Sequence, residues 1–572
     1  MSSNEFLPIS RRDLLVGAAA LATTTALPAG VKAAPAKFRR WNISDPNCPP
    51  RVITSYKKAI RAMLQLPATD PRNWYRYTLI HTLDCPHGNW WFLPWHRGYV
   101  GLFEQICREL SQDADFALPY WDWTKEPRVP KAMFDDVLDP NNPAFVATAA
   151  EFKAQFKDAI AKASYWDTTK SPDGSISPSP QYNQLLIRSI RFPDDLWFDI
   201  IDSPAGALFF DKGHARGLSA AEPDLLIPGV TPDKQAVLKA VSLPTILDAL
   251  GPRDFLSFGS PKALGHSSSS GFGVLENQPH NLVHNCVGGA YNGVNGFMQG
   301  FMSPTDPIFY LHHANIDRLW DVWTRKQIAR NAPYLPDGAP TAPGQTPTPG
   351  SDYVRWARED FVFFIDAKGQ PAPQATAGAY AEIGAFDYDY SPGSGEEVVP
   401  VTPQPPGPAV VASSLPAKLT RQTVAGASVT EGAVTVPLDV VRQQAEPQQP
   451  KLFASITVDL PAGGHDDLDV FIKDDDGKPQ FVATLSMFGH HVMREPVTFQ
   501  VPLSAALSDL QKARKFDANP ALNIQVVPRP RQANVKAMAP APQGAERAAH
   551  DAAGHGNAGN TADVTAISLR QL

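Results

Sequence analysis

Seven of the chain's 14 histidines lie in two short stretches, at spacings that suit metal binding. In order along the chain these are His81, His87 and His96, and then His280, His284, His312 and His313. Neutral imidazole is a common ligand for copper and zinc, and three such rings can hold one metal ion. The two stretches therefore predict two metal ions.

The pair His280 and His284 has the clearest geometry. Residues four apart share one face of a helix, so both rings can reach one metal ion. Zinc proteases use this spacing too, but they place a glutamate directly after the first histidine. Here that residue is Asn281, which cannot act as a base. Two histidines at this spacing, without other ligands, are more often structural than metal-binding. Here the downstream histidines and the other three-histidine set favour a metal site.

The ligand type narrows the choice of metal. All-imidazole sites suit copper, which also leads the divalent affinity order. Zinc accepts three histidines as well, so a zinc hydrolase stays open on ligand type alone. Two neighbouring copper ions can together pass two electrons to dioxygen, whereas zinc is not redox-active. Metal analysis separates the two possibilities.

Both stretches resemble the two copper motifs of the tyrosinase, catechol oxidase and haemocyanin superfamily, and the resemblance covers roughly residues 38 to 395. Carried over by motif, the ligands of the first copper are His81, His87 and His96, and those of the second are His280, His284 and His313. His312 matches a neighbouring histidine that packs without binding metal. The resemblance thus implies two copper ions as cofactors.

The same resemblance implies residues that support the ligands. Asp317 is placed to orient or brace the site, a role that metal-bound histidine usually needs filled, and Arg318 is expected to pair with it. The segment Tyr388–Tyr390 resembles the tyrosine motif that closes the family's catalytic domain. In the family this motif packs against an arginine near the start of the domain, for which Arg39 or Arg40 is available.

Cys85 lies two residues before His87, and two interpretations of it stay open. A free cysteine is most often a small buried thiol. The Cys-x-His pattern is also similar to that of fungal tyrosinases and some haemocyanins, which implies a thioether between Cys85 and the ring of His87.

Only five residues separate His81 from His87, whereas many relatives have a long loop there.

The resemblance also assigns residues to substrate chemistry. A phenol must lose its proton to bind copper, and its ordinary pKa is near 10, so a base is needed. In the family a glutamate and an asparagine at the positions of Glu276 and Asn281 hold a water that acts as this base. The alternative is that Glu276 caps or braces the helix while Asn281 bonds to the backbone. Phe301 or Met302 is the expected gate over the second copper.

Helical spacing of apolar residues indicates the elements that position these side chains. The predicted helices are Ser55 to Leu66, Trp74 to Leu83, Trp95 to Leu110, His280 to Cys286 and His313 to Trp323. The expected fold is a mainly α catalytic domain, a four-helix bundle around the dicopper site, followed by a small all-β sandwich.

Composition along the chain predicts the domain boundaries. Short alternating strands after the linker indicate the sandwich. The predicted order is a twin-arginine signal peptide at 1–34, the catalytic domain at 38–395, a linker at 396–416, the β-sandwich at 417–530 and a disordered tail at 531–572.

The charge and the targeting signals limit which binding partners and which cell compartment are expected. The formal net charge is -7 and no basic stripe is present, so nucleic acid is not an expected partner. Arg11 and Arg12 precede an apolar run, which predicts export by the twin-arginine pathway to the periplasm or outside the cell. No later stretch is long and apolar enough for stable membrane insertion after signal cleavage. Four cysteines do not make a disulfide scaffold.

The resemblance implies an enzyme that oxidises phenolic small molecules with O2, by o-hydroxylation of monophenols and oxidation of o-diphenols to o-quinones. Two alternatives remain, a catechol oxidase without monophenolase activity and a haemocyanin-like oxygen carrier. In family members of this layout the C-terminal domain covers the copper site, so cleavage near Ser391 to Pro416 is expected to raise turnover; the alternative is a stability or docking module. The blocking residue and the natural phenol are not identified by the sequence.

Overall fold

The computed structural model describes the chain in ranges separated by gaps. These ranges are residues 36–202, 209, 213–294, 296–341, 345–402, 414–424, 427–445, 451–459, 467–486, 488, 496–515, 521–529 and 562–571. The signal peptide predicted for residues 1–34 lies outside them, as do part of the predicted linker and most of the predicted tail.

The first part of the chain is a helical domain, as predicted. Its helices are α1 (Pro50–Gln65), α2 (Trp74–Asp84), α3 (Phe92–Ser111), α4 (Ala149–Ala161), α5 (Pro180–Ile187), α6 (Pro193–Trp197), α7 (Ala236–Ala240), α8 (Leu243–Ala249), α9 (Phe255–Phe258), α10 (Asn281–Gly288), α11 (Ile308–Ala329) and α12 (Asp352–Ala357). A π-helical turn, Glu276–His280, leads into α10. Its strands are β1 (Phe38–Arg40), β2 (Thr168–Lys170), β3 (Ile176–Pro178), β4 (Gly271–Phe272) and β5 (Tyr388–Tyr390).

Local sequence explains the helices that carry the histidines. The side chain of Asn73 accepts a hydrogen bond from the backbone N–H of Tyr75, which caps the start of α2. Pro94 lies in the first turn of α3, where its missing N–H costs no helical hydrogen bond. Helices α2, α10 and most of α11 are buried all round, so they form the centre of the domain. Amphipathic α1 packs its apolar face on α3.

The second part of the chain is a β-sandwich, also as predicted. Its strands are β6 (Leu415–Pro416), β7 (Lys418–Val424), β8 (Ala427–Thr435), β9 (Leu452–Asp459), β10 (Leu468–Lys473), β11 (Pro479–Leu485), β12 (Val497–Pro502), β13 (Ala521–Pro528) and β14 (Asp563–Gln571). Two helices accompany them, α13 (Leu438–Arg442) and α14 (Ser504–Lys512). One sheet has the order β11-β10-β13-β8-β7, and the other has the order β4-β12-β9-β14-β6.

Part of the predicted disordered tail forms a β-strand. Strand β14 runs antiparallel to β9, and Val564, Ile567 and Leu569 are buried in the sandwich core. The prediction of disorder was therefore wrong for residues 563–571. The reason is physical: these apolar residues complete the sheet between β9 and β6, a partnership that the Ala- and Gly-rich residues before them do not reveal.

The two domains share structural elements. Strand β4 comes from the helical domain but pairs in parallel with β12 of the sandwich, Gly271 with Thr498 and Phe272 with Phe499. Phe272 is buried in the sandwich core, and its ring stacks on that of Phe499 at 5.2 Å between centroids. In the opposite direction, Phe481 of β11 packs into the core of the helical domain. The helices within the described ranges include none long and apolar enough to cross a bilayer.

Candidate metal centre

The elements bring the predicted ligands to one place. Five of the six lie on helical turns: His81 on α2, His96 on α3, His280 and His284 at the start of α10, and His313 on α11. His87 is the exception, because it lies in the loop between α2 and α3. All six rings are buried.

The first cluster joins His81, His87 and His96 with Cys85, and their possible ligand atoms lie within 4.8 Å of one another. Nδ1 of His81 donates to the carbonyl of Phe301 at 2.8 Å, and Nδ1 of His96 donates to the carbonyl of Phe92 at 2.8 Å. These bonds place the ring proton on Nδ1, which leaves the Nε2 lone pair free for a metal.

The second cluster joins His280, His284 and His313 with His312, again with ligand atoms within 4.8 Å. Nδ1 of His284 donates to the carbonyl of Met298 at 2.7 Å, and its Nε2 lies 3.2 Å from Nε2 of His313. Two imidazole nitrogens at this separation can bind one metal ion together, since a zinc–imidazole bond is about 2.0 Å long. The geometry therefore fits a metal ion.

His312 differs from the other rings of its cluster. The indole N–H of Trp123 donates to its Nδ1 at 3.0 Å. A neutral His312 then carries its proton on Nε2 and has no free lone pair for a metal. This hydrogen bond agrees with the role expected of His312 as a packed histidine beside the ligands.

The charges of the site also fit a metal. Burial lowers the pKa of His81 and of His280 to about 3, and burial with neighbouring imidazoles holds the pKa of the other four predicted ligands well below the ordinary value. The rings are therefore neutral, as metal ligation requires. Buried Nε2 atoms of His81 and His280 have no hydrogen-bond partner among the described residues, and such atoms call for a ligand.

The two clusters face each other directly. The rings of His96 and His313 stack with 4.2 Å between centroids and 7° between planes, and His87 lies 5.6 Å from His280. Two metal ions held by these rings would be neighbours. This is the arrangement of two three-imidazole sites that the spacing predicted.

The buried thiol of Cys85 lies among the rings of the first cluster. Its Sγ is 3.6 Å from Nδ1 and 3.9 Å from Nε2 of His87, the two nitrogens that flank the ring carbon Cε1. It is also 3.4 Å from Nε2 of His96. Burial raises the pKa of Cys85 well above its ordinary value, so the sulfur is a protonated thiol rather than a thiolate.

Glu276 and Asn281 flank the second cluster. The carboxylate of Glu276 accepts hydrogen bonds from the N–H of Gly88 at 2.7 Å and from Oγ of Ser260 at 2.8 Å. Burial raises its pKa to about 8 against these bonds, so the carboxyl exchanges its proton near neutral pH. Oδ1 of Asn281 accepts from Nδ1 of His280 at 2.7 Å, while its buried Nδ2 has no partner among the described residues.

Asp317 has different partners from the one predicted. Arg97 donates to it at 2.6 Å and Arg40 at 3.3 Å, and the hydroxyl of Tyr388 donates as well. The expected pairing with Arg318 is wrong, because consecutive residues on a helix point in different directions. Burial opposes ionisation here, but both guanidinium groups hold the pKa of Asp317 below its ordinary value.

The tyrosine motif packs against Arg40. Its guanidinium lies 3.6 Å from the ring centre of Tyr388 and donates to the hydroxyl of Tyr390 at 2.8 Å. Arg39 instead forms an exposed ion pair with Asp389. Arg318 donates to Asn315 and to the carbonyl of Ser394. The network therefore closes the domain behind α11 rather than holding a histidine ring.

Phe301, one of the two predicted gate residues, lies beside the first cluster. Its ring is 5.9 Å from that of His81 and 5.7 Å from that of His87. Its carbonyl accepts from His81, which fixes the backbone at that cluster. Met302 is fully buried, and its sulfur accepts a hydrogen bond from Thr82.

A residue of the β-sandwich reaches the centre. The ring of Phe488 stacks on His284 with 4.3 Å between centroids, and it meets His87 at 5.5 Å and His280 at 5.6 Å, edge to face. Phe488 is 4% exposed. It covers both clusters from the sandwich side. No local pattern in the sequence marks it, because it contacts histidines that are hundreds of residues earlier in the chain.

The helical region is similar to known proteins. Residues 65–326 match the family model "Common central domain of tyrosinase". The chain is 29% identical over 292 residues to (+)-larreatricin hydroxylase of Larrea tridentata, a match covering 48% of this chain and 39% of the relative. It is 26% identical over 311 residues to polyphenol oxidase of Spinacia oleracea, covering 50% of this chain and 39% of that one. The chain thus spans well under half the length of these plant relatives.

Two further likenesses extend beyond the helical region. A tyrosinase of Hahella sp. (strain CCB-MM4) is 23% identical over 546 residues, covering 84% of this chain and 93% of that protein. A solved structure of latent aurone synthase (polyphenol oxidase) from its natural source has a TM-score of 0.51 at 19% identity, covering 87% of this chain and 89% of the other. The likeness in fold includes the β-sandwich as well as the helices.

Proposed function

We propose that the chain is a member of the tyrosinase and polyphenol oxidase family of type-3 copper proteins and that it oxidises phenols with dioxygen. The observation that carries the proposal is the pair of buried, neutral imidazole clusters that face each other. The residues that would hold two copper ions are His81, His87 and His96, and His280, His284 and His313. Two copper ions, when bound, supply the two electrons that reduce dioxygen.

We propose further that the enzyme hydroxylates monophenols as well as oxidising o-diphenols. A monophenol must give up its proton on binding, and every predicted ligand imidazole is committed to a metal. The carboxyl of Glu276, with a pKa of about 8, suits proton exchange near neutral pH. The unpartnered Nδ2 of Asn281 can orient a water between this carboxyl and the phenol.

Two substitutions of Asn281 test this proton transfer. Asn281→Asp keeps an acceptor for Nδ1 of His280 but loses the Nδ2 donor, whereas Asn281→Gly loses both. We expect both variants to lower the rate with tyramine much more than the rate with dopa. Equal loss of both rates in Asn281→Asp would assign Asn281 to ligand support alone.

Oxygen uptake with copper-loaded protein tests the whole proposal. Turnover of both tyrosine and dopa is the expected result. Turnover of dopa alone would establish a catechol oxidase, and reversible oxygen binding without turnover of a catechol would establish an oxygen carrier. Metal analysis that finds zinc in place of copper would establish a hydrolase-type centre.

We also propose a thioether between Cys85 and His87. The support is the position of Sγ, nearly equidistant from the two nitrogens that flank Cε1 of His87. The thiol S–H and the ring C–H each lose a hydrogen as the S–C bond forms, and dioxygen accepts the two electrons and two protons. The peptide containing both residues is then two hydrogens lighter, and Cys85 resists alkylation after denaturation. An alkylated Cys85 in active enzyme would exclude the bond.

We propose that Phe488 keeps the enzyme latent. Its ring is stacked on His284 and buried between the clusters, where it competes with an aromatic substrate. An aromatic contact of this kind is worth about 0.5–1.5 kcal/mol beyond its buried area. Removing the ring should therefore open the centre without cutting the chain.

The test of latency is Phe488→Ala in the intact chain. We expect kcat/KM for a catechol to rise by about ten-fold, in line with the loss of such a contact. Phe192→Ala, which removes a half-exposed ring elsewhere, serves as the control and should change nothing. An unchanged kcat/KM in Phe488→Ala would assign the sandwich to stability rather than inhibition.

We propose export by the twin-arginine pathway on the basis of Arg11, Arg12 and the apolar run after them. Substituting lysine for both arginines should leave the full-length precursor in the cytoplasm of a bacterial host. Fractionation of the host with an antibody to the protein measures this. Equal export of the double variant would exclude the pathway.

A further inference from the structure

His87 is the predicted ligand with the least support from its own element. It lies in a loop, whereas the other five lie on helical turns. Neither of its ring nitrogens donates to a backbone carbonyl within the described part of the chain, unlike Nδ1 of His81, His96 and His284. Its position must therefore come from how the loop backbone is held.

The loop backbone is held at several points, and one partner comes from a distant helix. Arg188, directly after α5, donates to the carbonyl of Cys85 at 2.7 Å and to that of Thr82 at 3.2 Å. These carbonyls belong to the last turn of α2 and the residue after it, where helix carbonyls lack helical partners. One guanidinium thus joins the helix of His81 to the loop of His87.

Arg188 is itself fixed on its other side. Its Nε donates to Oγ of Ser267 at 3.0 Å, and Gln184, one turn earlier, donates to the same hydroxyl at 2.6 Å. Two residues further along, the hydroxyl of Ser269 donates to the carbonyl of His87. The loop is therefore held between α5 and the segment 267–269.

Guanidinium suits this arrangement better than ammonium does. Its planar fork offers several N–H donors in fixed directions, so it can serve two carbonyls and a hydroxyl together. A lysine at this position could serve only some of these acceptors at one time. The geometry therefore depends on the residue type and not only on its charge.

We propose that Arg188 is a positioning residue for the first metal, acting through the loop that carries His87. The proposal rests on the proposed dicopper site, because it assigns a role toward one of its two ions. Loss of the fork would let the carbonyl of Cys85 move and would loosen His87. Residues that orient metal ligands typically change metal affinity by about 10–100-fold when they are removed.

The experiment measures copper retained per chain against a copper chelator, with activity not required as a readout. Wild type is expected to retain two ions, and Arg188→Met is expected to lose one of them at about ten-fold lower chelator concentration. Arg188→Lys should fall between the two. Arg191→Met, which removes an exposed arginine of the same segment, is the matched control and should behave as wild type.

A double variant distinguishes positioning from general destabilisation. If Arg188 acts through His87, then Arg188→Met together with His87→Ala retains as much copper as His87→Ala alone. Additive losses, or retention of both ions by a folded Arg188→Met, would overturn the proposal. Failure of the wild type to bind two copper ions would instead overturn the proposed function, and it would do so without reference to Arg188.

Discussion

At the scale of single residues, one hydrogen bond to a ring nitrogen distinguishes His312 from its neighbour His313. His312 and His313 are adjacent in the chain and both are buried. Trp123 donates to Nδ1 of His312, which removes its free lone pair, while Nε2 of His313 faces Nε2 of His284 at 3.2 Å. Tautomer selection of this kind is a function of the residues around a ligand.

The corresponding prediction compares these two neighbours. His313→Ala should remove one of the two copper ions and abolish oxidation of a catechol, because the second cluster loses a ligand. His312→Gln should retain both ions. Metal content per chain, measured by elemental analysis, checks both statements. Loss of an ion from His312→Gln would show that His312 is a ligand.

At the scale of elements, strand β4 links the sandwich to the loop of His87. Gly271 pairs with Thr498 on one side, and its N–H donates to the carbonyl of Gly88 at 3.0 Å on the other. A Cβ on Gly271 would lie 2.4 Å from the carbonyl oxygen of Thr498. Close backbone approach therefore requires glycine at this position, as in strand addition generally.

We predict that Gly271→Val weakens the contact between the two domains by about 1–3 kcal/mol, the usual effect of an overpacked interior site. The measurement is co-elution of the two fragments after cleavage at a protease site introduced into residues 403–413. Wild-type fragments should stay together, and those of Gly271→Val should separate. Gly265→Val, whose added Cβ meets no atom within 4 Å, is the control. Separation of the control fragments would exclude the strand as the cause.

At the scale of the whole molecule, the domains are joined by a buried carboxyl as well as by shared phenylalanines. Asp248 on α8 is buried against the sandwich, where the N–H of Ala505 and the charge of Lys451 face it. Burial raises the pKa of Asp248 to about 7 against these two groups. The ordinary pKa of an exposed aspartate is about 3.9, so the folded protein binds a proton that the unfolded chain releases.

The sign of the pH dependence follows from this difference. The contribution of Asp248 to stability is greatest below its unfolded pKa and declines as the pH rises through about 7. Between pH 6 and pH 8 we expect the wild type to lose roughly 1 kcal/mol more unfolding free energy than Asp248→Asn, which keeps an acceptor for Ala505. Denaturant unfolding at the two pH values measures it. Equal losses in both proteins would show that Asp248 does not titrate in this range.

The helices of the centre could be predicted from the sequence because their signals are local. The spacing of His280 and His284, the apolar faces around them and the prolines at helix ends all act within a few residues. The same holds for the alternating strands of the sandwich, in which Leu468, Val470 and Ile472 point to one side. Both metal clusters and both domains followed from such patterns and from the resemblance that they carried.

The tertiary structure decided which groups meet across long distances in the chain. Asp317 binds Arg97 rather than Arg318, Phe488 covers His284, and Arg188 holds the loop of His87. Each of these contacts depends on how whole elements pack, because a side chain takes the partner that burial leaves within reach and not the one nearest in sequence. The strand at 563–571 was missed for the same reason, since its apolar residues are buried by pairing with β9 on one side and β6 on the other, and both strands are distant in the chain.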